Sequence, residues 1–177
     1  MTSDSLGTMD LDARLEKLDA RDAVRNAARA FTAASKGTAV GDEKALADEF
    51  KAIIETMVLL AAIDGFVTDD ELGQLRSSIE KLVAPETIGP SLEELLAVSL
   101  ERLTADGWQA RVKDVAGRIK TPTSRSLAFR LGAAVAFVDD DVAQAEVEAI
   151  EALATAFGIP GDESQAILRE VVEDLFG

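Results

Sequence analysis

The sequence predicts an all-α protein, a compact bundle of about seven to eight helices with two helical hairpins related by a pseudo-twofold axis. Apolar residues recur at spacings of three and four through most of the 177 residues, as in helices with one buried face. No segment alternates apolar and polar residues as a half-buried strand does. In addition, an apolar helix that runs into an acidic turn occurs twice in the chain, once before Asp64 and again before Asp139.

The first predicted helix stands apart from the rest of the chain. Residues 9–35 have helical spacing, but their apolar face is thin and charged residues alternate around the other side. The segment 36–41 contains two glycines and breaks this helix. We therefore expect residues 1–40 to form an N-terminal helical extension and residues 41–177 to form a helical domain that survives removal of the extension.

Capping residues mark the next two helices. Asp42 is expected to cap a helix with a strong apolar stripe, and Gly65 is expected to end it because glycine tolerates a positive φ. Thr68 and Glu71 have the spacing of a capping box, in which each side chain accepts a hydrogen bond from the other residue's backbone N–H. A third helix is therefore predicted to begin here and to end before Pro85.

Similar signals divide the second half of the chain. Ser91 and Glu94 form another capping box, and residues 106–107 (Asp-Gly) separate that helix from the next one. Pro122 is expected in the first turn of a further helix, where its missing N–H costs nothing. After the second acidic turn one more helix follows, and Asp162 is expected to cap the last.

Composition excludes several classes of function. The chain has 33 acidic and 18 basic residues, a net charge of -15, which repels nucleic acid and anionic lipid and attracts cations and basic partners. It has no Cys and no His, which argues against thiol nucleophiles, haem ligation through His, iron–sulfur clusters and zinc sites of the Cys/His kind. A bound metal would need oxygen ligands, which favours calcium, magnesium or manganese.

The longest apolar runs, 57–63 and 132–138, are too short for a membrane span, which needs about 20 apolar residues. The first residues have neither a basic start nor an apolar run, so no signal peptide is expected. We therefore expect a cytoplasmic protein without direct membrane insertion.

The two acidic turns are the candidate metal site. One constant shift along the chain places Asp64 on Asp139 and Glu71 on Glu146. If the two hairpins face each other, these carboxylates converge on one hard cation, the kind of ion that oxygen ligands prefer. The predicted ligands are Asp64, Glu71, Asp139 and Glu146.

Helix capping is the alternative explanation for the same residues. Thr68 and Glu71 satisfy a capping box without any ion. In the second copy Ala143 replaces Thr68, so Glu146 lacks this reciprocal cap. The three adjacent carboxylates at 139–141 raise one another's pKa values or bind a cation. A solvated acidic turn and a shared cation site both remain open at this point.

A basic segment between the two turns is the candidate partner-binding surface. Residues 109–130 contain six basic residues and only Asp114 as an acid. The segment is expected to dock an acidic partner or lipid headgroups; neutralisation of neighbouring acidic helices is the alternative. The six residues are Arg111, Lys113, Arg118, Lys120, Arg125 and Arg130.

The two acidic motifs resemble those of the TerB family, the tellurite-resistance and TerB-like helical domains of bacteria. The motifs are residues 62–72 (AIDGFVTDDEL) and 138–147 (VDDDVAQAEV), and the resemblance extends over about residues 43–177. Asp140 stands where the first motif has Gly65. The resemblance implies that residues 41–177 form a TerB-like helical domain with paired repeats, an acidic metal-binding site, and a role in stress or oxyanion resistance alongside membrane partners.

Three classes of function are compatible with these observations. The leading hypothesis is a non-enzymatic TerB-like protein of bacterial stress or tellurite resistance that binds a divalent cation and acts with protein partners. The alternative is a metal-free helical interaction module, or adaptor. A carboxylate-based, metal-dependent hydrolase is least favoured, because no nucleophile, phosphate loop or oxyanion donor accompanies the carboxylates. Direct binding of the tellurite anion is not expected of so acidic a protein.

Overall fold

The computed structural model describes residues 21–38, 40–63, 67–83, 89–136 and 144–176. Within these ranges the chain forms eight α-helices and no strand, which confirms the all-α prediction. None of these helices is long and apolar enough to cross a membrane. The helices are α1 (Arg21–Ser35), α2 (Asp42–Ala61), α3 (Asp69–Val83), α4 (Gly89–Asp106), α5 (Trp108–Arg118), α6 (Pro122–Ala136), α7 (Gln144–Ala156) and α8 (Gly161–Phe176).

Two of the predicted helix starts are found as hydrogen-bonded caps. The N–H of Thr68 donates to Glu71 Oε1 at 2.9 Å, and the N–H of Glu71 donates to Thr68 Oγ1 at 3.1 Å, which confirms the capping box before α3. Pro122 is the first residue of α6, as predicted, and Thr121 caps this helix by accepting the N–H of Ser124 at 3.1 Å.

Other helix starts differ by one or two residues from the prediction. Asp42 is the first residue of α2 rather than its cap, because Gly41 takes the cap position with a φ of 55°. In the same way, α8 begins at Gly161, so Asp162 lies inside its first turn. Helix α4 is described from Gly89 onward, so Ser91 lies inside the helix rather than before it. In each case the acidic or hydroxyl side chain still lies near the positive end of the helix.

Helix α2 is the centre of the bundle. Eleven of its twenty residues are buried, so it has no continuous solvent-facing side, and it packs against α1, α4, α5, α6 and α7. The apolar run from Ala52 to Ala62 supplies most of this buried surface. A helix segment that is apolar almost all round is stable only when other helices surround it, and the second half of α2, from Ala52 to Leu60, is surrounded in this way.

Helix α1 belongs to the same core. Its most extensive packing is with α2, where the Phe31 and Phe50 rings lie 5.1 Å apart, and Arg25 Nε donates to the Leu82 carbonyl of α3 at 3.1 Å. The apolar face is thin in the sequence because alanines make up much of it, and their small side chains allow close helix contact. Residues 1–20 lie outside the described part of the chain, and residues 21–35 pack into the same core as the helices that follow.

Contacts along α2 define the directions of its neighbours. Trp108 at the start of α5 reaches Leu59, and the Lys120 N–H just after α5 donates to Glu49, so α5 runs antiparallel to α2. Helix α6 then returns parallel to α2. Ser124 Oγ donates to Glu49 Oε1 at 3.2 Å, and a Cβ at Gly132 would lie 3.3 Å from Leu60 Cγ.

This parallel arrangement places the C-terminal ends of α2 and α6 at one end of the bundle. Helix α7 runs back antiparallel to α6, because a Cβ at Gly132 would lie 3.4 Å from Leu153 and Arg125 donates to the Phe157 carbonyl. The predicted hairpin is therefore present for α6 and α7. By contrast, α3 packs mainly with α1 and α4 rather than along α2.

The internal repeat can be compared with the described helices. The shift that places Asp64 on Asp139 carries Ala61, the last residue of α2, onto Ala136, the last described residue of α6. It carries Asp69, the first residue of α3, onto Gln144, the first described residue of α7. The helical residues described on either side of the two acidic segments therefore correspond under one shift.

The burial of α1 predicts that its side chains contribute to the stability of the core. Phe31→Ala should lower the free energy of unfolding by about 3–5 kcal/mol, because it removes a buried ring that packs on Phe50. Urea unfolding followed by circular dichroism measures this change. Lys36→Ala, at an exposed position after α1, serves as the control and should change stability by less than about 0.5 kcal/mol.

The sequence predicts that removal of residues 1–40 leaves the fold intact, and the packing of α1 leads to the opposite expectation. A truncated protein that melts as cooperatively and at the same temperature as the full chain would show that α1 does not contribute to the core.

Candidate functional site

A buried carboxylate lies in the middle of α2. Glu55 is 1% exposed and interrupts an otherwise apolar stretch of the helix. Arg111 of α5 binds it through two parallel hydrogen bonds, from Nε to Oε2 at 2.7 Å and from Nη2 to Oε1 at 3.0 Å. Arg111 is itself buried, so this is a bidentate ion pair inside the core. It joins α5 to the central helix.

Three further side chains complete this ion-pair network. Asp106 and Asp114 each accept a hydrogen bond from Arg111, at 3.0 and 2.9 Å. Arg118 donates from one nitrogen to both Glu55 and Asp114, at 3.1 Å in each case. The hydrogen bond to Glu55 raises the pKa of Arg111 above its ordinary value and outweighs the opposing effect of burial. Both oxygens of Glu55 are occupied, so it is placed as a structural anion rather than as a free general base.

The end of α2 is held by the chain's one tryptophan. Trp108 Nε1 donates to the Leu59 carbonyl at 2.8 Å. This carbonyl lies in the last turn of α2, where carbonyls have no partner within the helix. Trp108 is the first residue of α5, so the same short helix holds α2 both at this end and, through Arg111, at Glu55.

The predicted metal ligands divide between described and undescribed residues. Glu71 is exposed in the first turn of α3 and uses Oε1 in the capping box. Glu146 lies in the first turn of α7 and is partly buried. Asp64 and Asp139 lie outside the described residues. Among the residues that are described, no group of three or more acidic side chains is arranged to hold a metal ion.

The predicted partner-binding arginines have partners within the protein. Arg111 and Arg118 belong to the Glu55 network, and Arg130 pairs with Glu170 of α8. Arg125 donates to two backbone carbonyls, that of Ile119 at 2.8 Å and that of Phe157 at 3.3 Å. The ion pairs of Arg111, Arg118 and Arg130 fit the alternative for this segment, intramolecular neutralisation, whereas Arg125 binds uncharged carbonyls.

The two lysines of the basic segment are exposed. Lys120 Nζ donates to the Gly117 carbonyl at 2.6 Å, one turn back on α5. Lys113 lies on α5 beside the Glu55 network but is not part of it. Of the six predicted residues, Lys113 and Lys120 are thus the two that an acidic partner reaches most easily.

The Glu55 network was not predicted from the sequence, although one signal for it was present. Glu55 is the only charged residue in the run from Ala52 to Ala62, and a charge in a fully apolar helix segment requires a buried partner. The identity of that partner was not visible, because Arg111 lies 56 positions further along the chain.

Comparisons of the chain with protein-family models, with curated proteins and with solved structures give no match.

The charge balance of the Glu55 network predicts that loss of its arginine destabilises the protein more than loss of its glutamate. Arg111→Met should destabilise the protein by about 3–5 kcal/mol, because it leaves Glu55 buried with Arg118 as its single cation. Glu55→Gln should cost less, because Arg111 keeps Asp106 and Asp114 as partners. Thermal unfolding followed by circular dichroism compares the two variants, with about 2–4 °C expected per kcal/mol for a chain of this size.

The double variant Glu55→Met with Arg111→Met provides the matched control. It removes both charges, so it should be more stable than Arg111→Met alone. Equal destabilisation by Glu55→Gln and Arg111→Met, with no recovery in the double variant, would contradict the proposed balance.

Proposed function

We propose that this chain is a non-enzymatic, cytoplasmic TerB-like protein that binds a divalent cation through its acidic turns and acts with protein partners in bacterial stress or tellurite resistance. The observation that carries the proposal is the parallel packing of α2 and α6. It brings Ala61 and Ala136, the last described helical residues before the acidic turns, to the same end of the bundle. The proposed ligands are Asp64, Glu71, Asp139 and Glu146.

The electrostatics of this end support a cation. Helices α2 and α6 both end here, and the C-terminal end of a helix carries a partial negative charge. The overall charge of -15 adds a negative field that attracts cations and repels anions such as tellurite. With neither His nor Cys in the chain, the site would select a hard ion such as calcium, magnesium or manganese.

The positions of Glu71 and Glu146 also support the proposal. Both carboxylates lie in the first turn of the helix that follows an acidic segment, Glu71 in α3 and Glu146 in α7. Glu71 uses one oxygen to accept the Thr68 N–H, and its second oxygen is the one assigned to the ion. A capping contact and a metal contact are therefore compatible on the same carboxylate.

A metal-free adaptor is the second candidate, and the capping box before α3 favours it. The reciprocal hydrogen bonds of Thr68 and Glu71 give these residues a structural reason to be present without any ion. In this case the acidic turns are solvated helix connections, and the function lies in the protein's surfaces. A hydrolase is not favoured, because the described carboxylate of greatest burial, Glu55, is fully engaged with arginines.

Titration with divalent ions distinguishes the two candidates. Calcium, magnesium or manganese at about 100 times its dissociation constant should add about 2.7 kcal/mol to the free energy of unfolding, which raises the melting temperature by several degrees. Zinc should show no special advantage, because its usual Cys and His ligands are absent. Trp108 contacts the last turn of α2, so its fluorescence gives a second readout near this end.

The control is the variant Asp139→Asn with Glu146→Gln, which keeps the shape of both side chains and removes their charge. It should lose the ion-dependent gain in melting temperature and keep or increase its stability without ions, because like-charge repulsion is reduced. A melt that no ion changes at millimolar concentration would leave the adaptor as the better description.

A further inference from the structure

A groove lies between α7 and α8 on the surface of α6. Both helices pack against α6 rather than closely against each other, which leaves a cleft of about 470 Å³ between them. Phe129 of α6 lines it together with Ile150 and Ala154 of α7 and Leu168 of α8. A volume of this size lies within the range of about 300–1,000 Å³ that is typical of ligand pockets.

Two exposed apolar side chains lie on the helices that form this groove. Val147 lines it and is 37% exposed, and Val172, one turn beyond Leu168 on α8, is 42% exposed. Among the side chains whose exposure the structure describes, Val40 is the one other large apolar side chain that is as exposed as these two. Two of the three exposed valines therefore lie on the two helices that form this groove.

The helices that border the groove are acidic. Helix α7 contains three glutamates and no basic residue, and one of them, Glu151, lines the groove. Helix α8 contains five acidic residues and one basic residue, Arg169. The groove therefore combines a largely apolar lining and the carboxylate of Glu151 with two helices that are acidic overall.

We propose that this groove binds an amphipathic helix of a partner protein, with apolar residues on one face and lysine or arginine beside them. Apolar anchors at helical spacing fit a groove between two helices, and basic flanks complement the charge of α7 and α8. A second copy of this chain is disfavoured as the occupant, because each copy carries a charge of -15. Residues 1–20, with five acidic and two basic residues, are likewise not complementary.

A synthetic peptide tests the groove directly. The probe is a fluorescein-labelled helix of about 18 residues, built from leucine at helical spacing and lysine elsewhere. Its binding to the full chain is measured by fluorescence anisotropy with a chelator present, so that the result does not depend on the proposed cation site. One control peptide has glutamate in place of lysine, and a second has the same composition in an order without helical spacing.

Two substitutions in the groove separate its charge from its apolar surface. Glu151→Lys should weaken binding of the leucine–lysine peptide about tenfold, equivalent to about 1.4 kcal/mol. Val147→Ser should weaken it about threefold without a change in charge. Both positions are exposed, so the fold should be retained, and circular dichroism verifies this.

Matched substitutions elsewhere provide the controls. Glu101→Lys on α4 makes the same change of charge, and Val40→Ser makes the same change of side chain outside the groove. Neither should alter the affinity by more than about twofold. If Glu101→Lys weakens binding of the leucine–lysine peptide as much as Glu151→Lys does, the interaction is general charge attraction and the proposal is overturned. The same conclusion follows if the reordered peptide binds as tightly as the helical one.

Two further results would also overturn it. Tight binding of the glutamate peptide would exclude a basic partner. A dimer seen by sedimentation that Val147→Ser abolishes would assign the groove to a second copy of the chain.

Discussion

The bidentate ion pair between Glu55 and Arg111 is the interaction on which the arrangement of the second half of the chain depends. A carboxylate in the centre of α2 would be very unfavourable there without a cation, and Arg111 supplies one with matching geometry. Since Arg111 is on α5, this requirement holds α5 alongside α2. The connection from α5 to α6 then directs α6 back parallel to α2, which places both helix ends at one end of the bundle.

Side chains from neighbouring helices satisfy the carbonyls at several helix ends. Trp108 binds the last turn of α2, Arg25 binds the last turn of α3, and Arg125 binds the carbonyls that follow α5 and α7. The shift that relates the two acidic turns also carries Leu82 onto Phe157, so an arginine binds the equivalent carbonyl in both halves of the protein. A cation at this position also favours the negative end of the helix. Among the basic residues of the segment 109–130, Arg125 acts in this way, whereas Arg111, Arg118 and Arg130 pair with carboxylates.

Local features of the fold were predictable from the sequence, and features that depend on distant contacts were not. The helices, the Thr68–Glu71 capping box and the position of Pro122 follow from spacing and capping chemistry, which act within a few residues. The role of α1 was not predicted, because alanine contacts become visible only when the opposing helix is known. In the candidate site, the placement of Glu71 and Glu146 in the first turns of their helices was predictable from the sequence. The contacts of the arginines were not, because their partners Glu55, Glu170 and Phe157 are distant in the chain.

The two helix pairs that the repeat relates differ in what packs against the second helix of each pair. Helix α3 packs against α1 and α4, whereas its counterpart α7 packs against α6, α5 and α2, and the next helix, α8, leans on α6 instead. In the first copy, α3 is therefore covered by α1 and α4. The second leaves a groove between α7 and α8, bordered by Glu151 and open at Val147. Helix α3 of the first copy is packed between other helices of the core. Helices α7 and α8 of the second copy, which form the groove, expose the apolar side chains of Val147 and Val172.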